Sequence, residues 1–216
     1  MARPVLVVLA GVNGAGKSSI GGHQLARAGL TWFNPDTFAR ELRAATGCTQ
    51  EDASARAWAE GLRRLDASIA SQHDYAFETT LGGRTVPGRI HSASSTHDVI
   101  VWFCGLGSAD LHVNRVRARA AAGGHDIPEA RIRERYLTSL LNLIALMPAL
   151  SELRVYDNSA SVGPGEPIRD PILVLERIAG EVTQPGQDDA AALAAVPEWA
   201  RPVVEAVFTL SRGRRR

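Results

Sequence analysis

The sequence predicts a three-layer α/β fold in which helices cover both faces of a central, mostly parallel sheet. Three observations carry that expectation. Val5–Ala10 is apolar throughout, the composition of a strand buried on both faces. The glycine-rich run GVNGAGKS, residues 11–18, follows it at once and leads into a segment of helical character. Beyond it, short apolar runs alternate with stretches of helical spacing, the pattern of strands joined by helical crossovers.

The elements follow in order. SSIGGHQLARAG continues as a helix ending near Gly29, and residues 31–33 read as a short second strand. Further strands are expected over residues 75–78, 99–104 and 153–156, and helices over 37–45, 51–71, 86–94, 108–122 and 127–147. In the last helix Ile132, Tyr136, Leu140 and Leu143 fall on one stripe, and Asp126 with Glu129 resembles a capping box. Residues 159–167 form a loop, 184–189 mark a boundary, and 197–210 form a short closing helix.

Composition narrows the classes of function. The chain has 216 residues, 45% of them apolar and 22% charged, with no apolar run near the ~20 residues that a membrane span needs. Cys48 and Cys104 are the two cysteines, too few for a disulfide framework or a cysteine-based zinc site, and a reducing cytoplasm is the expected home. The formal charge is +1, but Arg212, Arg214, Arg215 and Arg216 crowd the end. Without that tail the body is slightly acidic, which argues against nucleic acid as a partner.

One count directs attention to a site. Of the 24 basic residues a single one is lysine, Lys17, and it stands inside the glycine-rich run. An ammonium on a flexible stem fits a position that a planar guanidinium does not. Between a buried strand and a helix, the pattern of glycine, four residues and Gly-Lys-Ser is a phosphate cradle. Gly11, Asn13, Gly14, Ala15, Gly16, Lys17, Ser18 and Ser19 are therefore expected to bind a nucleotide, ATP or GTP, with Lys17 on the β and γ phosphates and the Ser18 hydroxyl on Mg²⁺.

Phosphoryl transfer also needs a proton acceptor and cations around the moving group. Four clusters offer them. In NPDTF, residues 34–38, Asp36 reads either as the base that takes the acceptor's proton or as an acid favouring the first turn of a helix begun by Pro35. In FETTLGGR, residues 77–84, Glu78 contacts the acceptor or holds a metal-bound water, and Thr79, Thr80 and Arg84 contact the acceptor; a plain strand-to-helix turn would use the same glycines. His112, Arg115 and Arg119 share one helical face, with Arg131 and Arg135 on the next helix. Two helices joined through GGHDIP, residues 123–128, make a lid, with Arg119 and Arg135 as the clamping cations and His125 as a ligand or a plain turn residue. In VYDNS, residues 155–159, Asn158 meets the adenine edge or makes an Asx turn.

This ordered set, GVNGAGKS, NPDTF, FETTLGGR, RVRARAAAGGHDIPEARIRERY and VYDNS, resembles the zeta-toxin-like kinases of bacteria from about residue 5 to about residue 160. The GGHDIP segment looks like the compact, chromosomal branch. The resemblance implies a nucleoside-kinase-like P-loop fold and ATP- or GTP-dependent phosphorylation of a small molecule, in the best-known members the 3′-hydroxyl of UDP-N-acetylglucosamine. Carried over by position, it implies that Lys17 and Ser18 serve phosphate and magnesium, that Asp36 is the general base and that Glu78 contacts substrate. It leaves Arg115 and Arg119 unseparated as the clamp. It also brings in a separate antitoxin protein as a candidate partner. The chain departs from the toxin members in its longer ETTLGGR turn and in His125, at a lid position that arginine occupies there.

The expected organisation is a kinase domain over residues 1–183, its lid at about 108–147, and a C-terminal extension over 184–216 with a short helix and a basic tail. The expected activity is transfer of a phosphoryl group to an alcohol. The alternative is a nucleotide-hydrolysing switch that acts on a protein partner, which would need a water-positioning residue and a switch segment.

Overall fold

A computed structural model describes residues 2–18, 21, 25, 31–160 and 170–213. Among them, six strands form one sheet in the order β2-β1-β3-β4-β5-β6. The strands are β1 (Val5–Ala10), β2 (Tyr75–Thr79), β3 (Asp98–Gly105), β4 (Glu152–Asp157), β5 (Ile172–Ile178) and β6 (Glu181–Gln184). The first four pair in parallel, with β1 between β2 and β3. That central place is why β1 is apolar without alternation: helices pack on both of its faces.

The five helices expected between residues 37 and 147 form, with ends shifted by a residue or two, and the closing helix expected over 197–210 runs from Arg201 to Gly213. They are α1 (Pro35–Thr46), α2 (Gln50–Ser71), α3 (Thr85–Ala93), α4 (Ala109–Ala121) and α5 (Glu129–Leu146), followed by short α6 (Ala190–Ala194) and by α7 (Arg201–Gly213). A helix begins at Lys17 and Ser18, while most of its expected course to Gly29 lies outside the described residues. Parallel strands require such crossovers, and they place the chain turns that follow β1, β2, β3 and β4 at one end of the sheet.

Two local expectations are corrected, and two strands are added. Residues 31–33 do not form a strand: Phe33 makes one isolated parallel bridge to Phe77, its N–H donating to Ala76 O at 2.9 Å and its carbonyl accepting from Glu78 N–H at 2.9 Å. The ladder stops there because Asn34 turns the chain into α1 and Pro35 has no N–H to give. The capping box at α5 does not form either. Pro128 occupies the cap position, and the Asp126 carboxylate accepts from the adjacent Ile127 N–H at 2.8 Å. The strands β5 and β6 were not anticipated. They add an antiparallel hairpin beside β4, turned by Ala179 and Gly180, whose positive φ values of 51° and 90° suit a two-residue hairpin turn.

The main core lies between one face of the sheet and α3, α5 and α7. Leu6, Val8, Val101, Phe103, Leu143 and Leu153 are in it, and so are Val196, Trp199, Val203 and Val207 from beyond the expected boundary at 184–189. Trp199 supports the floor of the site directly. Its ring lies so close to Gly105, at the end of β3, that a Cβ there would come within 2.3 Å of it. Its Nε1 donates to Asp157 Oδ1 at the end of β4, at 3.1 Å.

Candidate active site

The glycine-rich loop is fastened from below through its carbonyl oxygens. Cys104 Sγ and Asn158 Nδ2 both donate to Ala15 O, each at 2.9 Å, and His112 Nδ1 lies 2.9 Å from Asn13 O. A carbonyl only accepts, so Nδ1 carries the His112 proton. Burial pushes the Cys104 thiol up to about 12, which keeps it a donor. Burial likewise pushes His112 down to about 4, so the ring is neutral beside Lys17 and Arg115. With the carbonyls held below, the loop's remaining N–H groups are left for an anion.

Two glycines are required by close approach. Gly11 (φ 139°) lies against the backbone of β3, where a Cβ would come within 2.2 Å of Cys104 O. Gly16 (φ 90°) lies against the side chain of Asn158, 2.4 Å from where its Cβ would stand. Asn158 is thus fitted to the loop through its amide, and its own carbonyl accepts from Arg115 Nη2 at 2.8 Å.

Lys17 is buried, 8% exposed, and its ammonium lies 3.5 Å from Glu78 Oε1 and 3.4 Å from Val12 O. The other Glu78 oxygen accepts from Ser18 Oγ at 3.0 Å and from Asn34 Nδ2 at 2.9 Å. A lysine, a hydroxyl and a carboxylate therefore meet at the ends of β1 and β2. Among the described residues no group of three or more His, Cys, Asp or Glu side chains is placed to cage a metal. Magnesium at a nucleotide site is commonly bound through one or two protein oxygens and completed by phosphate oxygens and water. The Ser18 hydroxyl and the Glu78 carboxylate are the oxygens that could face such an ion.

Asp36 stands in the first turn of α1, whose cap is Asn34: Oδ1 accepts from Asp36 N–H at 2.9 Å and from Thr37 N–H at 3.1 Å. Its carboxylate is exposed and faces Arg119, Nη1 to Oδ2 at 3.5 Å. Arg119 comes from the last turn of α4 and also donates to His125 O at 3.3 Å. Arg115, one turn earlier, points to the loop after β4 instead, where it donates to Asn158 O and, at 3.1 Å, to Ala160 O. Arg117 and Arg133 pair with Glu129 at 2.6 and 2.7 Å, and Arg133 also pairs with Asp110 at 2.6 Å, which ties α4 to α5.

Helix α5 fixes the turn after β2. Arg135 Nη1 donates to Asn13 Oδ1 at 2.7 Å, and its stem packs where a Cβ on Gly82 would stand. One and two turns on, Ser139 Oγ donates to Thr80 O at 2.5 Å, and Asn142 Nδ2 donates to Leu81 O at 2.7 Å and Gly83 O at 3.0 Å. Burial, with Arg131 nearby, pulls Arg135 below its usual range, opposed by Glu134 and Asp36. The Thr79 and Thr80 hydroxyls accept from Leu81 and Gly82 N–H at 3.1 and 3.4 Å, and Arg84 stands exposed at the start of α3.

The structure therefore brings Gly11 to Ser18, Glu78, Asp36, Arg119, Arg135 and Asn158 to one end of the sheet. Ser19 lies outside the described residues. His125 is exposed and enters through its carbonyl rather than its ring. Sequence reading had not assigned roles to Asn34, Cys104, Ser139 or Asn142. Asn34 carried a signal, since an Asn directly before a helix-starting proline is a cap. The others carried none, because their partners are backbone carbonyls far away in sequence.

The chain matches no family model and no curated relative. Among solved structures it is similar to the AvrRxo1-ORF1:-ORF2 complex with ATP, at 18% identity and TM-score 0.62, over 92% of this chain and 64% of that one. It is similar to a chain of the PezAT chromosomal toxin–antitoxin system of Streptococcus pneumoniae, at 13% identity and TM-score 0.57, over 98% and 86%. A candidate kinase from Chloroflexus aurantiacus matches at 18% identity and TM-score 0.50, over 62% and 78%. The chain spans less than two thirds of the AvrRxo1 complex chain it matches. These likenesses show the P-loop kinase fold, in agreement with the fold that the zeta-toxin-like resemblance implies.

Proposed function

We propose that this chain is an ATP- or GTP-dependent kinase that phosphorylates a hydroxyl group of a small molecule, with a UDP-amino sugar such as UDP-N-acetylglucosamine as the candidate acceptor. One observation carries the reading: the exposed Asp36 carboxylate, beside the glycine-rich loop, is met by Arg119 from the facing helix, 3.5 Å away. An exposed carboxylate and a cation from another helix suit a proton acceptor next to a moving phosphoryl group.

In the proposed reaction the loop N–H groups and Lys17 hold the triphosphate. Ser18 and Glu78 hold Mg²⁺, which when bound supplies positive charge at the phosphate oxygens. Asp36 takes the proton of the acceptor hydroxyl as that oxygen forms its bond to the γ-phosphorus and the bond to the leaving diphosphate oxygen breaks. Arg119 and Arg135 neutralise charge on the transferring group. Thr79, Thr80, Arg84 and His125 are the candidate acceptor contacts, and Asn158 supports the nucleotide site from beneath the loop. The expected setting is the cytoplasm; no helix among the described residues is long and apolar enough to cross a membrane. The likeness to the PezAT toxin–antitoxin system supports a separate antitoxin protein as a partner.

The test is to incubate the protein with γ-labelled ATP or GTP and a panel of UDP-sugars, nucleosides, NAD and antibiotics. Label in a small molecule is the expected result. Label released only as free phosphate, across the whole panel, would replace the kinase by a hydrolysing switch.

A further inference from the structure

We infer that Asn34 is a positioning residue that joins the magnesium-binding pair to the candidate base, and that it is an asparagine because both ends of its amide are in use. Its Oδ1 accepts from Asp36 N–H at 2.9 Å and Thr37 N–H at 3.1 Å. Its Nδ2 donates to Ser18 Oγ at 3.1 Å and Glu78 Oε2 at 2.9 Å. A side-chain amide has two donor hydrogens and an oxygen that can accept twice, so the hydrogen-bonding capacity of Asn34 is filled. This inference rests on the proposed function and adds a residue to it.

The choice of side chain follows from the two halves together. As a helix cap alone, serine or aspartate serves as well as asparagine. Neither can donate both to the Ser18 hydroxyl and to the Glu78 carboxylate, and an aspartate would set a second negative charge against Glu78. The amide also fixes how the Ser18 hydroxyl is used. That hydroxyl donates its one hydrogen to Glu78 and accepts from Asn34, which leaves one lone pair for a cation. Because the same amide oxygen binds the N–H of Asp36 itself, the backbone of the candidate base is tied through Asn34 to the proposed metal-binding pair.

The experiment separates the two halves. Binding of a non-hydrolysable ATP analogue is measured by calorimetry with magnesium and with EDTA, on wild type, Asn34→Ser and Asn34→Ala, beside their thermal unfolding. Wild type is expected to bind more tightly with magnesium. Asn34→Ser keeps the cap and should melt near wild type, yet lose about tenfold in affinity in magnesium and little in EDTA, as expected for lost hydrogen bonds that orient a charged group. Asn34→Ala should show the same loss in magnesium together with a lower melting temperature. An Asn34→Ser protein with the full magnesium effect would overturn this inference and leave the kinase reading standing. A wild type that binds no analogue under either condition would overturn both.

Discussion

Arg119, in the last turn of α4, reaches across to Asp36, in the first turn of α1, with 3.5 Å between guanidinium and carboxylate. Both side chains are well exposed, 42% and 59%, so the pair adds little to stability and can be remade when a substrate enters. Asp36→Asn should therefore change unfolding free energy by no more than about 0.5 kcal/mol. Phosphoryl transfer should fall by about 10²–10⁴-fold, while calorimetric binding of magnesium nucleotide persists. Turnover near the wild-type rate would remove Asp36 as the base.

The contact between Gly16 and Asn158 gives a second prediction. An alanine at 16 faces both a φ of 90° and the Asn158 amide, 2.4 Å from its Cβ. Gly16→Ala should cost about 1–3 kcal/mol of stability and abolish nucleotide binding. Gly88→Ala is the matched control. Gly88 lies within α3 with nothing within 4 Å of its Cβ, so this change should be neutral or stabilising by up to about 1 kcal/mol. Equal effects of the two changes, by denaturant unfolding, would contradict the described loop geometry.

His112 sets a pH dependence. Burial holds its pKa at about 4 in the native protein against an ordinary 6.5, so the unfolded chain takes up a proton that the native state refuses. Stability is therefore full above about pH 6.5 and declines as the pH falls toward 4. Between pH 7.5 and 5 the loss from this group is about 2 kcal/mol. His112→Asn, whose amide can still donate to Asn13 O, should show a shallower decline over that range. Parallel stability profiles for the two proteins would show that the ring is not held neutral.

How much of this was legible in the sequence depended on whether a residue's partner lay nearby along the chain. The strand Val5–Ala10, the loop and the five helices from α1 to α5 were readable because their signals are local: continuous apolar residues, glycines at fixed spacing, helical periodicity. Residues 31–33 looked like a strand by composition, but a strand needs a partner ladder, and only Phe33 has one bridge. The run Ile172–Leu175 was a readable strand signal, followed by a glycine turn at Gly180, yet its place against β4 depends on a long-range pairing. Arg115 and Arg119 could not be told apart because residues four apart share a helical face. Only tertiary structure sends one to the carbonyl of Asn158 and the other to Asp36. The floor of the site, built by Trp199 and Cys104, was invisible for the same reason.

The central claim is that the turn after β1 grips a nucleotide triphosphate through Lys17. The most direct test is calorimetric titration of magnesium ATP and magnesium GTP into the wild type and into Lys17→Ala, with folding of both checked by circular dichroism. The account predicts saturable binding of at least one nucleotide to the wild type and a loss of about tenfold or more in Lys17→Ala. Well-folded wild type that binds neither nucleotide, or a Lys17→Ala protein that binds as tightly as wild type, would contradict it.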